Sequence, residues 1–343
     1  MSSSKIESVE QLEDLLSEPT PGAVEAMRRL KGDLILLGVA GKMGPTLARM
    51  AKRASELAGV SRRVIGVSRF SSASQELELQ RHGIETIRCD LLDENEVQKL
   101  PEISNVIYMA GMKFGSTDQE SLTWAMNTYL PTIVCRKFRR SKIVAFSTGN
   151  IYGLAPIAQG GSVEMDAPNP VGEYAMSCLG RERMFEHFSR TLQIPTAIVR
   201  LNYACELRYG VLVDLAKQIW AGQTIDLSMS WFNTIWQADA NAMTLQCFDH
   251  VSTPPFLINV TGPETLKVRE VCEKLSQLMD KPISFSGTES PMALLNNAQR
   301  SFQLFGKPCI GAEKMLEWVA DWVKCGRGTL GKPTHFESRD GKF

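Results

Sequence analysis

The sequence predicts an α/β fold: a doubly wound parallel sheet with a smaller C-terminal lobe. Strand-like and helix-like segments alternate from residue 34 to residue 199, and three evenly spaced glycines break the first strand-to-helix junction. Such alternation favours parallel strands joined by right-handed crossovers, with helices on both faces. The first strand is the apolar run Leu34-Ile35-Leu36-Leu37, followed by the glycine turn and a helix-patterned stretch from Met43 to Ala58. Val64–Val67 reads as the second strand, Ile84–Cys89 as the third, Val106–Met109 as the fourth, Ile143–Phe146 as the fifth and Ala197–Val199 as the sixth.

A preface precedes the sheet. Val9, Leu12, Leu15 and Leu16 mark a short amphipathic helix, and Thr20-Pro21 reads as N-cap and first residue of a second helix carrying Val24, Met27 and Leu30. The expected division is a helical extension over 1–31 serving packing or oligomer contact, and a dinucleotide-binding domain over 32–202. A lobe over 203–325, mainly for substrate and with segments returning to the core, comes next. Residues 326–343, glycine-rich and polar, are expected to form an arm or loose tail.

Composition narrows the function classes. The 343 residues are 43% hydrophobic, enough for a large buried core. Thirty-eight basic residues balance 38 acidic ones, so nothing points to a nucleic-acid or membrane partner. The eight cysteines are scattered without a C-x-x-C pair, which argues against a metal site and a disulfide framework and for a reducing, cytoplasmic setting. The N-terminus is polar, and no apolar run is long enough to span a bilayer.

Gly38, Gly41 and Gly44, with Lys42 and Met43 between the last two, have the form of a dinucleotide pyrophosphate site. The first glycine permits a tight turn, the second lets backbone approach phosphate, and the third lets helix pack on strand. A tight turn with no ligand has the same sequence form. At the end of the second strand a site for NAD usually carries Asp or Glu. Here the chain reads Ser68-Arg69, a hydroxyl and a guanidinium suited to a 2′-phosphate, so NADP(H) is preferred and NAD(H) possible. The alternative for Arg69 is a solvated surface cation.

Together with the glycine motif, features between Asp90 and Asn202 resemble the extended short-chain dehydrogenase/reductase family, which includes nucleotide-sugar epimerases and dehydratases. They are Cys89-Asp90-Leu91, Met109-Ala110-Gly111-Met112-Lys113, Asn127, Ser147-Thr148-Gly149-Asn150-Ile151-Tyr152-Gly153, Glu164 to Tyr174 with Pro168 and Pro170, and Arg200-Leu201-Asn202. The resemblance implies a Rossmann-type domain in which Asp90 and Leu91 contact adenine, and Ala110, Gly111 and Lys113 line the ribose and nicotinamide side. It implies catalysis by the Thr148 hydroxyl and by Tyr174, which also contacts the cofactor. A helix-bundle homodimer is implied by the same analogy.

The resemblance fails at one position. The family places a lysine four residues after the tyrosine, to bind ribose and lower the tyrosine pKa; this chain has Cys178. Lys113 and Arg181 are the candidate substitute cations. The arginines that grip a diphosphate in nucleotide-sugar enzymes are also missing, from Trp231–Asp239 and from Lys281–Asn297. The expected substrate is therefore a small carbohydrate-like alcohol or ketone (a free sugar, polyol or sugar acid) handled by an NADP-dependent oxidoreductase or epimerase. Asn202, Arg208 and Trp231 are candidate substrate contacts, Arg208 for a carboxylate and Trp231, Phe232 and Trp236 for a sugar face. The alternative is a cofactor-binding protein with little catalysis, acting as sensor or scaffold.

Overall fold

The computed structural model describes residues 5–113 and 118–341. Seven strands form one sheet: β1 (Leu34–Leu37), β2 (Val64–Ser68), β3 (Glu85–Arg88), β4 (Asn105–Tyr108), β5 (Lys142–Thr148), β6 (Thr196–Leu201) and β7 (Phe256–Val260). Their spatial order is β7-β6-β5-β4-β1-β2-β3, and every pairing is parallel. Side chains alternate across the sheet as a period of two requires. Leu34, Leu36, Ile107, Val144 and Val199 enter one core, while Ile35, Leu37, Val106, Tyr108 and Ile143 enter the other. A sheet buried on both faces explains why its inner strands read as continuous apolar runs.

β1 lies between β2 and β4, so the direction of winding reverses there. A crevice opens at such a reversal, beyond the carboxyl ends of the strands. The glycine turn after β1 and the Ala110–Lys113 segment after β4 form its two lips.

The preface folds as its caps direct. α1 (Val9–Leu16) starts at Ser8, whose side chain accepts from the Gln11 amide, and α2 (Pro21–Arg29) starts at Thr20, which accepts from Ala23. Leu12, Leu16, Ala23, Ala26 and Met27 are buried, and the two helices pack on α3 (Gly44–Leu57). The extension is thus part of the chain's own core. α4 (Gly172–Leu192) runs along the opposite face of the sheet and carries the tyrosine region. β7 was not among the expected strands. It returns from the C-terminal lobe to pair with β6 in register Phe256↔Ala197.

The C-terminal segment is not a loose tail. Leu330 donates its amide to the Arg208 carbonyl at 3.0 Å, and Thr334 donates both amide and hydroxyl to Asp214, each at 2.7 Å. Phe336 is 3% exposed, with its ring 6.0 Å from that of Phe232. The last two residues of the expected tail lie outside the described residues.

Candidate active site

Each glycine of the turn meets a different neighbour. Gly38 has φ of 90°, and a Cβ there would lie 2.8 Å from the Ala110 backbone. A Cβ at Gly44 would stand 2.1 Å from the Val39 carbonyl oxygen, so strand and helix meet only through glycine. Around Gly41 the nearest atom is the Gly38 oxygen at 3.3 Å, which leaves its outer side open. Among the described residues the Lys42 and Met43 amides donate to no partner. Two free N–H groups before the N-terminus of a 14-residue helix, beside an open glycine, suit an anion. These residues fit the pyrophosphate of a dinucleotide.

The Lys42 side chain turns away from the loop. Its Nζ donates to the Ala204 carbonyl at 2.7 Å and lies 4.1 Å from the centre of the Tyr209 ring. Desolvation lowers its pKa to about 8.

At the far end of the crevice, Ser68 is half-buried and Arg69 exposed, its guanidinium 4.0 Å from the Asp90 carboxylate. Arg69 and Asp90 face a cleft of about 490 Å³ at the ends of β2 and β3. Asp90 also accepts from the Leu92 amide at 3.0 Å, which fixes the turn carrying Leu91. A 4.0 Å pair in water is weak. Arg69 is therefore free to turn toward another anion.

The tyrosine end is assembled around Asn127, in a π-helical turn over Ala125–Tyr129. Its amide exchanges hydrogen bonds with the Met112 backbone, both at 2.9 Å, and donates to the Ser177 hydroxyl at 2.9 Å. Arg181 donates to the same Asn127 and, at 3.1 Å, to the Phe146 carbonyl. Gly111 clears the space for this guanidinium, since a Cβ there would lie 2.2 Å from it.

Thr148, Tyr174, Lys113 and Lys42 line one cavity of about 140 Å³, together with Tyr203, Tyr209 and Thr334. The Thr148 hydroxyl donates to Asn150 Oδ1 at 2.9 Å. Desolvation raises the Tyr174 hydroxyl well above its ordinary pKa, and the adjacent Cys178 adds to this; Arg181 and a hydrogen bond with Thr148 act in the opposite direction. Burial also pushes the Cys178 thiol up, so it stays neutral. Lys113 Nζ lies 5.8 Å from the centre of the Tyr174 ring, and desolvation lowers its pKa to about 8. Both candidate substitute cations therefore stand beside the tyrosine: Arg181 as a fixed charge, Lys113 as a titratable one.

The candidate substrate contacts do not meet there. Asn202 is buried and donates to Asn233 Oδ1 at 2.8 Å, inside the joint between domain and lobe. Arg208 is paired with Glu206 and with Glu13 of α1, and faces a separate cleft of about 950 Å³. Its charge is already neutralised. Trp231 pairs with Lys267 in a two-stranded antiparallel ladder, outside the cavity, and Phe232 and Trp236 are core residues. Sequence reasoning also missed a buried network. Glu182 accepts from Ser147 at 2.6 Å and from Arg200 at 2.8 Å, and Arg200 donates to the Tyr152 hydroxyl at 2.6 Å. It ties α4, β5 and β6 together behind Thr148, and gives Arg200 a structural role. Tyr203 and Tyr209 had a signal, as aromatic residues in the segment that follows β6. Thr334 had none.

The fold has counterparts among known proteins. The profile of the NAD dependent epimerase/dehydratase family matches residues 34–205, half of the chain. No curated protein matches the sequence. Among solved structures, UDP-glucuronic acid 4-epimerase from Bacillus cereus in complex with NAD superposes with a TM-score of 0.70 at 17% identity, over 85% of this chain and 99% of that one. A dTDP-glucose 4,6-dehydratase from Bacillus anthracis, also with NAD, gives 0.70 at 15% identity over 86% and 97%. UDP-glucose 4-epimerase from Thermotoga maritima gives 0.68 at 16% identity over 86% and 99%. At such identities the structures speak for the fold, and the profile for the lineage. The chain belongs to the NAD-dependent epimerase/dehydratase family of enzymes.

Proposed function

We propose that this protein is an NADP-preferring oxidoreductase or epimerase acting on a small carbohydrate-like alcohol or ketone. The observation that carries the reading is the convergence of Thr148, Tyr174 and Lys113 on one cavity beside the glycine turn. The nicotinamide cofactor, when bound, supplies the hydride acceptor or donor. Thr148 exchanges its bond to Asn150 for one to the substrate oxygen and orients it. Tyr174 takes the proton from that oxygen, or returns it. Arg181 holds a fixed positive charge near the developing phenolate, and Lys113, with a pKa of about 8, relays the proton onward.

The preference for NADP rests on Ser68 and Arg69, where a carboxylate would repel a 2′-phosphate. The Bacillus cereus epimerase and the dehydratase of similar fold are described with NAD, so the coenzyme choice is a point of difference from them. Likewise, those proteins are named for nucleotide-linked sugars. A smaller substrate here is supported by the cavity of about 140 Å³ and by the missing arginines in 231–239 and 281–297. Drug-sized ligands occupy roughly 300 Å³ or more.

The test is a thermal-shift panel on the NADP-loaded protein, because ligand binding to the folded state raises its stability. Free sugars, polyols and sugar acids should raise the melting temperature, and nucleotide-diphosphate sugars should not. A shift with the nucleotide sugars alone would overturn the substrate reading. Fluorescence titration should give tighter binding of NADPH than NADH, with Arg69→Asp reversing the order; equal affinities would remove the coenzyme preference.

A further inference from the structure

The C-terminal segment runs between the lobe and the dinucleotide domain and is fixed to both. On the lobe side, Leu330 is held by the Arg208 carbonyl, Thr334 by Asp214, and Arg339 donates to the Ser228 carbonyl at 2.7 Å. Phe336 is sunk against Phe232. On the domain side, the Thr334 carbonyl accepts from Lys113 Nζ at 3.2 Å. Gly341 packs so tightly on Gly172, at the start of the tyrosine helix, that a Cβ at Gly172 would meet the Gly341 oxygen at 2.5 Å. Thr334 thus bonds to both walls.

The segment divides the cleft. In front of it lies the cavity of about 140 Å³ holding Thr148 and Tyr174; behind it, between Asn150, Tyr203 and Arg339, about 30 Å³ remains. The smaller space holds about one water. A long ligand reaching from Tyr174 along the lobe would have to run through residues 334–341.

We propose that residues 330–341 form a strap that serves as the size-limiting wall of the substrate pocket, admitting small polyhydroxylated molecules and excluding those with a nucleotide attached. The proposal deepens the function argued above and rests on its placing substrate at Thr148 and Tyr174. Thr334 and Phe336 are its specificity-determining residues: the first closes the pocket mouth and the second anchors the strap in the lobe.

The amines of Lys42 and Lys113 line the cavity and report on access to it. Full-length protein and a chain ending at Thr329 are treated at about pH 8.5, where amines of depressed pKa are reactive, with two reagents. One is small, formaldehyde with a borohydride, and the other bulky, a biotin hydroxysuccinimide ester. Peptide mass spectrometry then reads labelling relative to exposed Lys99. The strap predicts that truncation raises bulky-ester labelling of Lys42 and Lys113 by about tenfold or more, with a far smaller change for the small reagent. Phe336→Ser in the full chain keeps the strap but loosens its anchor, and should give an intermediate rise even if the shortened chain does not fold. Bulky labelling that is unchanged in the folded variants, or already high in the full chain, would overturn the proposal. Turnover does not enter the readout. An inactive protein with the expected labelling would keep the strap and remove the reaction, and an active one with flat labelling would do the reverse.

Discussion

The two ends of the crevice are built on different principles. At the glycine turn the site is made of backbone: free amides, a helix N-terminus and positions where no side chain fits. At the tyrosine end it is made of side chains under mutual control, with Tyr174, Cys178, Arg181 and Lys113 each setting the charge state of another. A backbone site tolerates little change and keeps its motif. A side-chain site can lose one member and redistribute its charge among the others. The difference explains how this chain keeps G-x-x-G-x-x-G intact while replacing the lysine four residues after the tyrosine.

The largest expected effect falls at the side-chain end. Tyr174→Phe should lower turnover by roughly 10²–10⁴-fold, the usual scale of acid–base catalysis, while cofactor affinity in a fluorescence titration stays nearly constant. Turnover at the unmodified rate would take the tyrosine out of the mechanism and blur the contrast between the two ends.

At the backbone end, two alanines should behave differently. Gly44→Ala forces a Cβ into the Val39 carbonyl and should cost about 1–3 kcal/mol or more of stability, seen as a fall in the urea midpoint. Gly41→Ala meets almost nothing in the chain, so its midpoint should hold while cofactor binding weakens. If both variants lost stability alike, the open side of Gly41 would not be a ligand cradle.

Cys178→Lys restores the family's cation next to two that already stand near it. Like-charge crowding should lower the rate at neutral pH by roughly tenfold, about one pKa unit of unfavourable interaction. A rise in rate, with the pH profile moving down, would show that Arg181 and Lys113 do not replace the lysine. In the unmodified protein the profile of alcohol oxidation should still be climbing above about pH 8, because Tyr174 is held above its ordinary pKa.

The smallest effect is on stability. Lys42 and Lys113 both have folded-state pKa values of about 8, below the 10.5 of a free lysine. Between those values the unfolded chain binds more protons than the folded one, so these residues make stability rise with pH over that window. Their cost is present in full below it. Lys113→Met should flatten the rise in urea midpoint between about pH 8 and 10.5; an identical slope would mean that Lys113 is not desolvated.

The sequence disclosed what depends on local pattern. Six strands, the glycine turn, both helices of the preface and the Thr20 cap follow from periodicity and residue type within a few positions. Segments of 203–325 were expected to return to the core, but Phe256-Leu257-Ile258-Asn259-Val260, an apolar run of strand length, was not read as the strand that does so. The candidate substrate contacts failed for a different reason. Arg208 looked like a free cation, but one of its partners, Glu13, lies 195 residues away, a pairing no local pattern contains. The strap was illegible because its anchors are mostly backbone groups and a single aromatic ring. Glycine-rich, polar composition describes its freedom in isolation and says nothing about the cleft that fixes it.

Gly111 and Arg181 form a lock with one permitted combination. Any side chain at 111 would enter the space of the guanidinium, and without that guanidinium the Phe146 carbonyl and Asn127 lose a buried donor. The two positions, 70 residues apart, can therefore change only together. Among relatives that lack the lysine four residues after the tyrosine, arginine two helical turns after it should occur only where the 111 position is glycine.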